Sequence, residues 1–290
     1  MTWDDAVVKG IITKEQLLGF LPFNKWLSAL KTSLDRQGKE QHLFHTSPFS
    51  LRSITIQSVD FFKPTVIGFV KLNARVENAN GKILPGIAFL RGPSVAVLMI
   101  LQPSDSKTEK WVILTEQPRV AAGSLQFMEV SAGMIDPKSE SFAGTAANVI
   151  MEKTGFKFPE QKLKDLTKYA IGKEAIWDED TWDDPALAGS SDDLESAMYP
   201  SPGGTDEYIK IFLWEKELER KELDELKKKL AGTKTAGELV TVKIANYEQL
   251  WRVAARDSKA LAAWSLYEAL KRKRHPDLTD TRVSRKQTDI

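Results

Sequence analysis

The stretch "SVAVLMIL", residues 94–101, constrains the fold more than any other part of the chain. After Ser94 it carries no polar side chain, whereas a strand with one wet face alternates apolar and polar positions. It therefore reads as a strand buried on both faces of a sheet. "KWVILTEQ" follows after the polar loop "QPSDSKTE" and reads as its neighbour. "EYIKIFLW" and "ELVTVKIA" read as two more strands. Between them lies the charged helix "EKELERKELDELKKKLAG", with Leu218, Leu223, Leu226 and Leu230 as a narrow apolar seam. A last helix, "DSKALAAWSLYEALKRKRH", is expected to bury some of Leu261, Trp264, Leu266 and Leu270, and its terminal cations complement the helix dipole.

Ahead of the central strand, Thr13 and Gln16 have capping-box spacing at the start of "KEQLLGF". A second helix, "FNKWLSALKTSLDRQ", sets Phe23, Trp26, Leu27 and Leu30 along one stripe. Val70, Leu72, Ala74 and Val76 then alternate with polar residues, and Asn80-Gly81 marks the turn of a hairpin. These signals predict three parts: an N-terminal helical lead with a hairpin over 1–92, a main domain over 93–273, and a disordered tail over 274–290. Within the main domain, 173–199 is dense in Asp, Glu, Ser, Pro and Gly and reads as an acidic surface loop.

Composition removes several classes of function. Forty-one basic residues against forty acidic ones give no overall electrostatic case for nucleic acid or an anionic membrane. The absence of cysteine excludes disulfides, zinc–thiolate sites and thiol nucleophiles. Three histidines (His42, His45, His275) leave little material for a His-rich metal site or a Ser-His-Asp triad. No apolar run approaches the roughly 20 residues of a membrane helix. The start "MTWDDAVVKGII" has no basic segment leading into an apolar one, so no secretory signal is expected. The expectation is a soluble, cytoplasmic protein.

Residues 133–156, within "GMIDPKSESFAGTAANVIMEKTGFKF", resemble the Nudix box, G-x5-E-x7-R-E-U-x-E-E-x-G-U, where U is aliphatic or aromatic. Gly155-Phe156 matches the closing G-U, Ile150 the earlier U, and Glu152 the first Glu of E-E. Glu140 stands the required distance before Asn148, with one residue inserted between Gly133 and Glu140. The R-E pair is Asn148-Val149, and the second Glu of E-E is Lys153. The flanks resemble the ADP-ribose and ADP-sugar diphosphatase branch. They are "LTEQPRVAAGSLQFMEVSAGMID", with Ser131 in place of a proline, and "YPSPGGTDEYIKIFLW". Segments at both ends are similar to plant-type ADP-sugar diphosphatases over about residues 20–272.

The resemblance implies an α/β (α+β) fold: a Nudix α/β/α sandwich on a mixed sheet, preceded by a smaller region of helices and antiparallel strands. It implies hydrolysis of an ADP-sugar or ADP-ribose to AMP and a sugar phosphate, with Mg2+ or Mn2+ as cofactor, in a homodimer. Mg2+ prefers carboxylate oxygens, and helix positions i, i+3 and i+4 share a face, so such a helix aims residues 149, 152 and 153 at one place. Their charges here sum to zero, where the family pattern gives −3. The implied ligands are Glu152, the carbonyl of Ala132, Glu207 and Glu140, with Glu152 holding the metal for catalysis and Glu207 as metal ligand or water-activating base. Arg119 is the implied substrate contact; Asp206, next to Glu207, is a further candidate, and Lys153, which departs from the pattern, is expected to touch the diphosphate directly and take over part of a metal's electrostatic role. Glu129 is expected to support packing or a turn, and Gly133 and Gly155 to permit positive φ angles. Two alternatives stand beside the hydrolase: a nucleotide-sugar-binding protein with impaired catalysis, and a structural subunit that dimerises through its N-terminal region.

Overall fold

The computed structural model describes residues 12–135, 141–155, 157, 159–171, 194–230, 239–273 and 275–279. Glu140, the acidic stretch 173–193 and the tail beyond 279 lie outside them. The described residues form two compact units. The first comprises those of Met1–Pro93, Glu179–Glu195 and Tyr199–Tyr208; the second, those of Ser94–Asp178, Ser196–Met198 and Ile209–Ile290.

In the first unit, helix α1 (Lys14–Gly19) opens on the expected capping box. Thr13 Oγ1 accepts from the Gln16 amide at 3.2 Å, and Gln16 Oε1 accepts from the Thr13 amide at 2.8 Å. Helix α2 (Leu21–Asp35) buries Phe23 and Leu27, with Trp26 and Leu30 partly covered. Its stripe packs with the inward residues of an antiparallel sheet: β1 (Phe49–Lys63), β2 (Val66–Asn78), β3 (Ile83–Leu84) and β4 (Ile87–Leu90). Val70, Leu72, Ala74 and Val76 of β2 all face this core. The expectation of helices leading directly to a hairpin needs correcting, because β1 is a full strand paired along β2. Its register shifts between Leu51 and Ser53, so Phe49 and Leu51 fall out of phase with Ile54 and Ile56, although all four are buried. The bulge hides the period of two from a linear reading. Buried Gln37 joins α2's end to β1, its amide donating to the Phe49 carbonyl and accepting from the Phe49 amide.

The second unit is built on a six-stranded mixed sheet in the order β10-β6-β7-β5-β9-β8. The strands are β5 (Ser94–Pro103), β6 (Trp111–Arg119), β7 (Ser124–Met134), β8 (Lys164–Asp165), β9 (Ile209–Leu218) and β10 (Thr241–Asn246). β5 runs parallel to β9 and antiparallel to β6 and β7. The buried-strand reading of β5 holds, and alternate residues feed two cores. Ala96, Leu98 and Ile100 pack toward Leu250 and the last long helix, α6 (Ser258–Arg272). Val95, Val97, Met99 and Leu101 pack toward α3 (Phe142–Thr154) and α5 (Arg220–Leu230). This is the α/β/α sandwich, with short α4 (Leu166–Ile171) beside β9.

Three details differ from the sequence reading. Leu218 ends β9 rather than starting α5, whose buried seam is Leu223, Leu226 and Leu230. Helix α6 buries Ala260, Ala263 and Tyr267, while Leu261 is exposed and Trp264, Leu266 and Leu270 are half-covered. Two alanines and one tyrosine face the sheet here, and the leucines and Trp264 lie on the flanks of the helix. Of the tail, Pro276–Thr279 forms one helical turn.

At one end of this sheet a polar cluster is buried around Lys110. Its ammonium donates to the Tyr267 hydroxyl and lies 3.9 Å from Glu215, which also takes the Tyr267 proton at 2.8 Å. Tyr247 donates to Glu268 at 2.6 Å, while Lys164 pairs with Glu215 and Lys271 lies over the Tyr267 ring. Burial lowers the Lys110 pKa to about 8, against the pull of Glu215, and burial raises both tyrosines. The unfolded chain then binds more protons at Lys110 than the folded one from about pH 8 upward, so stability rises with pH there. Above about pH 10 the tyrosines reverse the slope, because only the unfolded state ionises them. Denaturant midpoints are therefore expected to climb from pH 8 toward 10 and then fall, and in Lys110→Met the climb should vanish. An unchanged climb in that variant would assign it to other groups.

Candidate active site

Helix α3 carries the box-like motif and is held at both ends by local chemistry. Ser141 is its N-cap, the hydroxyl accepting from the Gly144 amide at 2.8 Å. Gly155 closes it at φ +75°, a left-handed position that favours glycine, and its amide returns to the Met151 carbonyl. Gly133 serves a different purpose from the one expected, since it is not among the positive-φ glycines. A Cβ there would lie 2.9 Å from Val149 Cγ2, so the missing side chain lets α3 sit close on β7.

The three diagnostic positions do not share one environment. Val149 and Lys153 are 5% and 9% exposed, with Ala146 and Ile150 fully buried beside them, whereas Glu152 is exposed. At about 100° per residue, the mean direction of 146, 149, 150 and 153 lies roughly 110° from that of 152. The surviving carboxylate is on the flank of the helix, and its inner face carries a valine and a lysine.

This placement tests the implied metal. Among the described residues, no three His, Asp or Glu side chains gather as a cation site. The ammonium of Lys153 occupies a position where the family pattern has a carboxylate. Unit charges about 4 Å apart interact by roughly 4 kcal/mol at an effective dielectric near 20, so a lysine beside a dication opposes it strongly. The described residues do not fit Mg2+ or Mn2+, and no reaction step is assigned to such an ion. Ala132 lies on β7 opposite Ala96 of β5, half-buried.

Beside the helix, β6 and β7 present a charged cluster. Glu129 is 1% exposed, and its Oε1 accepts from Gln117 Nε2 at 2.5 Å and from Arg119 Nε and Nη2 at 3.0 and 2.5 Å. Its Oε2 accepts from Lys259 Nζ at 3.2 Å. Lys259 also donates to buried Asp257 at 2.7 Å, and Asp257 takes the Val130 amide and caps α6. Glu129 thus fixes the guanidinium of half-exposed Arg119 while leaving Nη1 outside their contact. Lys259 and Asp257 were not foreseen. Their sequence distance from Glu129 leaves no local signal.

The other two acids belong to the first unit. Asp206 spends its carboxylate on the backbone, accepting from the amides of Arg91 at 2.7 Å and Gly92 at 3.1 Å. Burial raises its pKa against the opposing pull of those amides. Glu207 is largely buried and takes Arg91 Nη1 at 3.1 Å. The glycine-rich turn before them is closed by the Ser201 carbonyl, which accepts from the amides of Gly204 and Thr205. The Phe89 amide then donates to Gly204, tying the loop to β4. Arg91 was also missed; "LRGP" at a strand end gives no hint of a partner 116 residues away. A half-open cavity of about 1000 Å3, mostly apolar, lies in the same unit between α2, the β2–β4 strands and this loop. Trp26, Tyr199 and Tyr208 are in its wall.

No family model matches the chain. A curated relative, Nudix hydrolase 14, chloroplastic, of Arabidopsis thaliana, is 34% identical over 251 residues, covering 86% of this chain and 71% of the relative. The chain belongs to the Nudix hydrolase family. A solved ADP compounds hydrolase aligns over 77% of this chain and 97% of its own length, at 17% identity and a TM-score of 0.41. In this Nudix family member α3 has both caps and a close contact with β7, and its inner face is apolar and cationic. No helix among the described residues is long and apolar enough to cross a membrane.

Proposed function

We propose that this chain takes a nucleoside diphosphate linked to a second group, ADP-ribose or an ADP-sugar, and cleaves it slowly to AMP and a sugar phosphate. The supporting observation is Arg119, whose guanidinium is held by buried Glu129 at the end of β6 and remains half-exposed. An arginine fixed in this way meets a phosphate with little further loss of side-chain freedom. Water must be activated by a carboxylate, for which Glu152 and Glu207 are the candidates.

A second reading, binding without turnover, is favoured by the burial of Val149 and Lys153 on the face where the family pattern places carboxylates. Losing one electrostatic group of an active site commonly lowers kcat by about 10²–10³. The test is release of AMP from ADP-ribose and ADP-glucose, with Mg2+ or Mn2+ present, by wild type, Glu152→Gln and Glu207→Gln. Slow AMP release that falls in either variant supports hydrolysis. Wild type no faster than both variants removes it, and saturable ADP-ribose binding would then leave the second reading.

A further inference from the structure

We infer that this chain binds the diphosphate of its nucleotide ligand without a divalent cation, the Lys153 ammonium supplying the positive charge. This rests on the nucleotide-diphosphate reading above and names how such a ligand is held. Three observations converge on it. First, the described residues contain no cation-binding cluster. Second, Lys153 lies four residues after Val149 on the inner face of α3, the helix packed on β5 and β7. A lysine here introduces a charge into a layer otherwise filled by Ala146, Val149 and Ile150.

Third, the sheet face opposite α3 is polar along β6 and β7. Met128, Val130 and Ala132 pack into the other core, so Glu129, Ser131 and Gly133 point to the α3 side, and Thr115 stands opposite Glu129. The hydroxyls of Thr115 and Ser131 are buried and have no hydrogen-bond partner among the described residues. Buried hydroxyls are ordinarily satisfied, so two orphans on one face mark a place for a further acceptor. A diphosphate oxygen is such an acceptor, and an ammonium–phosphate hydrogen bond is of the strong, charge-assisted kind. Where a metal would bridge phosphate oxygens, an amine and hydroxyls donate to them directly.

The experiment is calorimetric titration of the full chain with ADP-ribose, once in EDTA and once in Mg2+, for wild type and Lys153→Met. Methionine keeps the length and apolar stem of the side chain, and matched melting curves control for folding. Wild-type affinity is expected to be the same within about threefold in the two buffers. Lys153→Met should weaken binding in EDTA by about tenfold or more, the scale of one lost hydrogen bond to a charged group. Binding seen only with Mg2+ would overturn the inference and leave the proposed ligand class standing. Unchanged binding in Lys153→Met would overturn the role of the lysine. No binding in either buffer would overturn the ligand class itself, and this inference with it.

Discussion

Replacing Glu129 by leucine is expected to destabilise the protein by about 3–5 kcal/mol, the range seen when one member of a buried charge pair is removed. The carboxylate is almost wholly buried and receives Gln117, Arg119 and Lys259 together. The partners do not share that cost equally. Arg119 is 43% exposed and regains water when released, so its pair contributes little. Lys259 is 16% exposed and would keep only Asp257, itself needed by the Val130 amide and the cap of α6. The loss should therefore be read mainly as a stranded lysine, measured as a lower denaturant midpoint. Leucine at 129 with Met at 259 should recover part of it, because the second change removes the stranded charge. A single-variant loss below about 1 kcal/mol would mean that water reaches the cluster. The same leucine variant should also weaken ADP-ribose binding, since Arg119 would no longer be held.

What was legible in the sequence was legible where one residue's environment is set by near neighbours. The unbroken apolar run of β5 announced a strand between two layers, and the Thr13–Gln16 spacing announced a cap. β1 was hidden by a bulge that changes the phase of its inward residues, although its composition suits a strand. β7 was hidden because its first half, Ser124–Met128, is only partly covered and shows no alternation. Helix α6 was recognised, but not the side by which it docks. Leucine and tryptophan are stronger signals than alanine, and it is the alanines that permit close contact with the sheet.

The candidate site divides along the same line. The identities at 148, 149, 152 and 153 could be read directly, together with the zero charge sum at the last three. That Glu152 would be exposed and Lys153 buried required knowing which arc of α3 faces the sheet. Glu129 was expected to support structure, and its carboxylate does so by holding Arg119 and Lys259. The pairing of Asp206 and Glu207 with the Arg91–Gly92 stretch spans more than a hundred residues and has no local trace. A long-range ion pair is a product of topology, and only the folded chain brings its members together.

Converting Lys153 to glutamate should create a Mn2+ site that the wild-type chain lacks. The substitution reverses the sign of the buried charge on the inner face of α3, four residues after Val149, with Glu152 on the adjoining flank. The sum over positions 149, 152 and 153 moves from zero to −2. A unit charge pair at about 4 Å is worth roughly 4 kcal/mol at an effective dielectric near 20, so even a third of that is a tenfold change in affinity. The measurement is the electron paramagnetic resonance signal of free Mn2+ during titration, which reads binding without any catalytic turnover. Wild type should leave the signal nearly undiminished, whereas Lys153→Glu should remove it saturably. Lys153→Glu combined with Glu152→Gln should fall between them, because the sum is then −1 and the flanking carboxylate is gone. Equal Mn2+ affinity in wild type and Lys153→Glu would show that the charge at position 153 does not control whether this face takes up the ion.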